Sequence, residues 1–255
     1  MIRNQWYAIL PSRLLRPGKL LAVRRLGLDL VLFRNGRGEP GCVVDRCSHR
    51  GAALSAGELD GDCVRCPFHG IRFDTAGRCR FIPANGRADT ADMSRYNVQS
   101  FAVREAHGIL YLWYGDPAKA EGDLPFFDDR LAPGTVYSEI ADPWPTHYSR
   151  AIENQLDVIH LPFVHHNTIG RGNRTLVNGP RAEFVDGELR TSADNDVDRG
   201  QAPRPPQQCA VSPDLYLAFR FPNVWMNHIS DRIRVVIYFA PVDDENTILY
   251  IRFYC

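Results

Sequence analysis

Net charge, long apolar runs and disulfide spacing are all missing from this chain, and each absence removes a class of protein. The 30 basic and 30 acidic side chains cancel over 255 residues. No net field therefore favours nucleic acid or an anionic membrane, and no basic block of the needed density occurs. No stretch approaches the ~18 uninterrupted apolar residues of a membrane-spanning helix. The opening residues, Met1 to Tyr7, have neither the apolar stretch nor the small-residue cleavage site of a secretion signal. The cysteines number seven, an odd count. Cys42, Cys63, Cys79, Cys209 and Cys255 follow no disulfide framework and suit the role of small buried hydrophobes. Internal repeats and low-complexity tracts are absent too. A reducing, cytoplasmic setting is the expectation, with neither nucleic acid nor membrane as partner. The rest is ordinary: 44% apolar and 24% charged residues, in a chain long enough for one large domain or two smaller ones with their own cores.

Two short hairpins break this plainness. Cys47-Ser48-His49 and Cys66-Pro67-Phe68-His69 each offer one thiolate and one imidazole. That set can hold a two-iron, two-sulfide cluster with both cysteines on one iron and both histidines on the other. Neutral imidazoles in place of two thiolates remove negative charge, moving the potential from roughly −400 mV toward roughly −150 to +300 mV. A structural zinc site also takes two Cys and two His, but zinc sites group their ligands as Cys-x2-4-Cys and His-x3-5-His. Here each hairpin carries one of each, and Cys-x-His is an unusually tight bite. Gly51 and Gly70 follow where the backbone must turn tightly, and Asp74-Thr75-Ala76-Gly77 reads as a hairpin turn between short strands.

Along the chain, residues 1–116 show short alternating segments with turn signals, such as Leu28 to Phe33 followed by Asn35-Gly36, which predicts a small antiparallel β domain. His107 to Tyr114 reads as its closing strand. Residues 117–135 shift toward Pro, Gly and Asp, a linker composition. Residues 136–255 form a second domain. Leu215, Leu217, Phe219 and Phe221 alternate with polar or small neighbours, as do Ile233, Val235, Ile237 and Phe239, and then Leu249, Ile251 and Phe253. These predict strands of one antiparallel sheet. From Arg150 to about His160, Ile152, Leu156 and Ile159 recur at helical spacing, with a break or kink at Pro162. A helix on an antiparallel sheet is the simplest arrangement, so the fold class is α+β.

That helix carries Asn154-x2-Asp157-x2-His160-x4-His165. If the helix bends at Pro162, two imidazoles at this separation can point at one ion, as in the two-His, one-carboxylate triad of oxygen-activating non-haem iron. Alone the spacing is weak, because histidines near a helix end are more often capping or core residues. Phe221, Trp225, Met226, Asn227, His228 and Phe239 are candidates for an apolar small-molecule pocket and serve equally well as sheet core.

Cys47-Ser48-His49-Arg50-Gly51 and Cys66-Pro67-Phe68-His69-Gly70 closely resemble the Rieske signature of ring-hydroxylating and demethylating oxygenases. Glu153 to His165 is very similar to the iron-binding helix of the α subunits of that family, and the likeness begins at Asn4-Gln5-Trp6-Tyr7 and runs through both halves. The resemblance implies a terminal oxygenase that hydroxylates or demethylates an aromatic or other apolar molecule with dioxygen. Cys47, His49, Cys66 and His69 would hold the 2Fe-2S cluster, and His160 and His165 a mononuclear Fe(II). Asp157 would link His160 to the cluster ligand His69 across a subunit boundary, with Asn154 beside the iron and His166 as a rival to His165. An NAD(P)H-dependent reductase, directly or through a ferredoxin, would supply electrons to a head-to-tail homotrimer. The third iron ligand of the family, an Asp or Glu on a later helix, is missing before Cys255, so the chain reads as truncated. Asp243, Asp244 and Glu245 fall in a solvent hairpin turn. A Rieske electron carrier and a truncated, inactive homologue with a binding or assembly role are the alternatives.

Overall fold

The computed structural model describes residues 1–88, 90–131, 134–212, 216–230 and 232–255. Leu215, expected in a strand, and residues 132 and 133 of the expected linker lie outside the described residues. The chain divides into two compact units, Met1–Leu124 with Ala240–Asn246, and Pro125–Phe239 with Thr247–Cys255.

The first unit is built from β1 (Gln5–Pro11), β2 (Leu21–Arg25), β3 (Leu28–Arg34), β4 (Pro40–Val44), β5 (Glu58–Asp60) and β6 (Cys63–Arg65). It continues with β7 (Arg72–Phe73), β8 (Cys79–Phe81), β9 (Ser100–Phe101), β10 (Val103–Ala106) and β11 (Ile109–Tyr114). They form three small sheets ordered β1-β11-β10, β2-β3-β4-β9 and β5-β6-β7-β8. Leu30, Val31, Leu32 and Phe33 of β3 are fully buried on both faces, each worth about 1.5–3 kcal/mol by removal from water. The predicted closing strand starts two residues later than its pattern suggests. His107 and Gly108 both have positive φ, 55° and 69°, and make the two-residue turn that pairs Ala106 with Ile109. Residues 240–246 join this unit through Leu26 N to Pro241 O and Gly27 N to Val242 O, both 2.9 Å, so the second unit is not the uninterrupted run 136–255.

The second unit contains β12 (Tyr137–Trp144), α1 (Tyr148–Leu156), α2 (Leu161–Val164), β13 (Leu176–Val185) and β14 (Glu188–Asp196). After these come β15 (Tyr216–Arg220), β16 (Val224–His228), β17 (Arg234–Pro241) and β18 (Thr247–Tyr254). One seven-stranded sheet results, ordered β12-β18-β17-β16-β15-β14-β13. With α1 burying Tyr148, Ala151 and Ile152, the α+β expectation describes this unit.

Two local expectations need correction. On β18 the alternation of Leu249, Ile251 and Phe253 suggested the inward face, and Leu249 is buried, but toward the end of the strand Tyr250, Arg252 and Tyr254 are buried while Phe253 is exposed. A neutralised charge reverses the reading: Arg252 pairs in register with Glu139, donates to its Oε2 at 2.7 Å, and lies 4.3 Å over the Tyr137 ring. The helix also ends sooner than expected and does not break at Pro162. After Leu156 the Asp157 Oδ1 accepts from Ile159 N at 2.7 Å, turning the chain. Pro162 instead sits in the first turn of α2, where a missing N–H costs nothing.

Candidate functional site

The two cysteine–histidine hairpins lie between β4 and β5 and between β6 and β7, and both use the same backbone closure. Cys47 N donates to Ala52 O at 2.8 Å and Gly51 N to Cys47 O at 2.9 Å; Cys66 N donates to Ile71 O at 2.8 Å and Gly70 N to Cys66 O at 3.0 Å. Each closure ends on a glycine in the left-handed region, φ 74° at Gly51 and 71° at Gly70, which a side chain would strain. Ser48 Oγ ties the first loop to Tyr96 O, and Asp45 grips Ser55 through both its backbone N and its hydroxyl.

These loops sort their cysteines and histidines by depth. Cys47 and Cys66 are 3% and 2% exposed and belong to a hydrophobic cluster with Val31, Phe33, Val43, Leu54 and Phe73. His49 and His69 face outward, with ring centroids 4.6 Å apart at 62°, and the exposed Phe68 leans on His69 at 4.1 Å. Burial pushes the Cys47 thiol up, the backbone N–H groups of His49 and Arg50 pull it down, and the adjacent Cys66 adds to the rise, leaving it above its ordinary value. Such N–H donation toward sulfur is one of the levers that set a cluster's potential. Two sulfurs within and two imidazoles without fit a two-iron unit. Among the described residues no group of three or more His, Cys, Asp or Glu is placed to hold one ion.

In the second unit His160 and His165 flank α2, one at each end. Their ring centroids stand 5.3 Å apart at 65°. Asp157 Oδ2 is 3.2 Å from His160 Nδ1, an ion-pair distance without the alignment of a hydrogen bond, since that buried nitrogen has no hydrogen-bond partner among the described residues. His166 turns elsewhere, its Nδ1 2.9 Å from Phe163 O. Asn154 is exposed on α1. Asp243 takes bonds from Glu245 N, Asn246 and Arg24, a hairpin-turn role far from ligation.

A cleft of about 320 Å³ adjoins this turn, lined by Val158, Leu161 and Pro162 from the turn, Ile169 and two arginines beyond it, and residues of β14, β15 and β16. Of the six pocket candidates only Asn227 lines it. Trp225, Met226 and Phe239 are core, His228 is buried and stacked on Tyr216 at 4.9 Å, and Phe221 is exposed beyond its strand. Sequence reasoning missed Thr191, Ala193 and Asn195, alternate residues of a strand whose polar composition carries no apolar signal.

Residues 5–102 match the family model of the Rieske 2Fe-2S domain, and residues 144–252 that of the vanillate O-demethylase oxygenase C-terminal domain. The oxygenase component of dicamba O-demethylase from Stenotrophomonas maltophilia is 36% identical over 170 residues, which is 64% of this chain and 48% of that protein. Chlorophyllide a oxygenase from Chlamydomonas reinhardtii is 34% identical over 171 residues, 67% of this chain and 26% of that one. The chain thus spans about half or less of the length of these relatives. A solved structure of dicamba monooxygenase bound to 3,6-dichlorosalicylic acid superposes with a TM-score of 0.79 at 23% identity, covering 100% of this chain and 78% of that one. That likeness shows a shared fold. No helix among the described residues is long and apolar enough to cross a membrane.

Proposed function

Because the chain belongs to the Rieske non-haem iron oxygenases, we propose that it acts as a terminal oxygenase component that hydroxylates or demethylates an aromatic or other apolar small molecule with dioxygen. The observation that carries this reading over a plain electron carrier is the second histidine pair, at the ends of a turn that walls a ligand-sized cleft. Cys47 and Cys66 would hold one iron of the cluster, His49 and His69 the other, and His160 and His165 a separate ferrous ion. Bound there, the groups supply one-electron storage and dioxygen chemistry.

The chain's own residues prepare these places. N–H groups of His49 and Arg50 aimed at Cys47 favour negative charge on its sulfur. Asp157, 3.2 Å from His160 Nδ1, stands where a small turn of that ring would let Nδ1–H donate to it, which would orient the ring and leave Nε2 free, the role of a carboxylate behind a ligand imidazole. Asn154 would stand beside the ion without gripping it. Val158, Leu161 and Ile169 give the cleft its apolar side. In this reading the partners are an NAD(P)H-dependent reductase, directly or through a ferredoxin. The assembly is a cytoplasmic head-to-tail trimer, in which His69 of one copy faces Asp157 of the next.

Anaerobic reconstitution with iron and sulfide, followed by metal analysis, tests the reading. About three irons per chain are expected, two in the cluster and one outside it. Two irons per chain, with no reductant-driven oxygen consumption, would identify a carrier instead.

A further inference from the structure

We infer that Asn195 and Asn227 select the substrate, and that it is a neutral molecule of one or two rings bearing N–H or O–H donors. This rests on the oxygenase reading only for the chemistry that follows binding. Asn227 pairs with Leu217, which pairs with Thr191, so these three stand in one row across β16, β15 and β14. Asn195 is four residues beyond Thr191 on β14 and shares its face by strand alternation. All four line the cleft.

Both amides keep a buried Oδ1 with no hydrogen-bond partner among the described residues. Asn195 is steered by its Nδ2, which donates to Val158 O at 3.4 Å, in the stretch joining Asp157 to His160. The wall also carries Thr191, Ser192, Asp194 and Tyr216, but these two buried carbonyl oxygens are the ones left asking for donors. A ligand that leaves one of them unpaired loses about tenfold in affinity. The same oxygens oppose a carboxylate, whose charge would meet two acceptors. Arg171 and Arg174 also line the cleft, but both are exposed and Arg171 Nε is held by Asn167 O at 2.6 Å. Water screens their attraction for an anion. A volume of about 320 Å³ is at the small end of ligand sites, which limits the ring count.

Equilibrium binding of three probes of one shape to the full chain, without reductase or dioxygen, provides the test: benzamide, acetophenone and benzoate. Benzamide is expected to bind about a hundredfold tighter than acetophenone, which replaces the amide NH2 by a methyl and leaves both oxygens unpaired, and tighter than benzoate. Asn195→Leu and Asn227→Leu should each shrink that preference to about tenfold while keeping the affinity for acetophenone. Asn227→Leu, which leaves the Val158 bond intact, keeps the test open if Asn195→Leu does not fold. Equal affinity for benzamide and acetophenone, tighter binding of benzoate, or binding of none of the three overturns the inference. Iron content plays no part in this readout. A chain with two irons and an intact benzamide preference would sink the oxygenase reading alone, and one with three irons and no preference would sink this inference alone.

Discussion

Asp157 and Asp74 are both carboxylates at turns, and their surroundings give them different work. Asp157 reaches His160 with one oxygen and Ile159 N with the other, so its work is on the His160 ring and the turn. Asp157→Asn should preserve the visible absorbance of the cluster and most of the iron while lowering turnover by at least tenfold. Turnover within twofold of the parent would remove Asp157 from the mechanism. Asp74 is a structural node. Burial pushes its carboxyl up, but Arg78 N and the guanidinium groups of Arg80 and Arg78 outweigh this and hold it below its ordinary value. A folded value below the unfolded one, about 3.9, gives stability that is present above that pH and lost as pH falls through the folded value. Asp74→Asn should therefore lose about 1–2 kcal/mol at pH 7. The gap to the parent, measured by urea unfolding, should close as pH falls toward 2. Cys47, His49, Cys66 and His69 could be proposed from the sequence because a candidate ligand set is written in residue type and spacing. Asn195 was not, since its meaning depends on strands brought beside it from elsewhere in the chain.

At the level of elements, local pattern located segments well and their ends poorly. The apolar alternation that marks β15, β17 and β18 is real, but on β18 it does not say which face turns inward, because Glu139 opposite Arg252 decides that. The helical spacing of Ile152 and Leu156 is real too. Its end is set by a side chain bonding its own backbone at Asp157, a signal weaker in sequence than the nearby proline. This difference is measurable. With the bend made at residues 157–160 and Pro162 within the first turn of α2, Pro162→Ala should change iron retention by less than twofold and stability by under about 1 kcal/mol. A loss of iron on that substitution would restore the proline kink as the device that aims the histidines.

For the whole molecule, two units with separate cores imply that unfolding is not a single two-state event. Glu139 and Arg252 are 5% and 1% exposed at their side chains, and removing one partner of so buried a pair costs about 3–5 kcal/mol. Glu139→Gln should lower the calorimetric transition of the second unit by several degrees and leave the one tracked by cluster absorbance unmoved. Equal shifts in both would mean that the units melt together. Composition suggests a linker at residues 117–135, but the return of residues 240–246 to the first unit is a tertiary pairing with Leu26 and Gly27 that no local pattern encodes. The four-residue α2, with Val164 N bonded to His160 O at 2.8 Å and His165 N to Leu161 O at 3.0 Å, has a consequence for descent. It is a gauge of fixed length, and adding or dropping a single residue within it would swing one imidazole by about 100° relative to the other. Lineages that keep the activity can therefore exchange letters between 160 and 165 but cannot tolerate a change in their number.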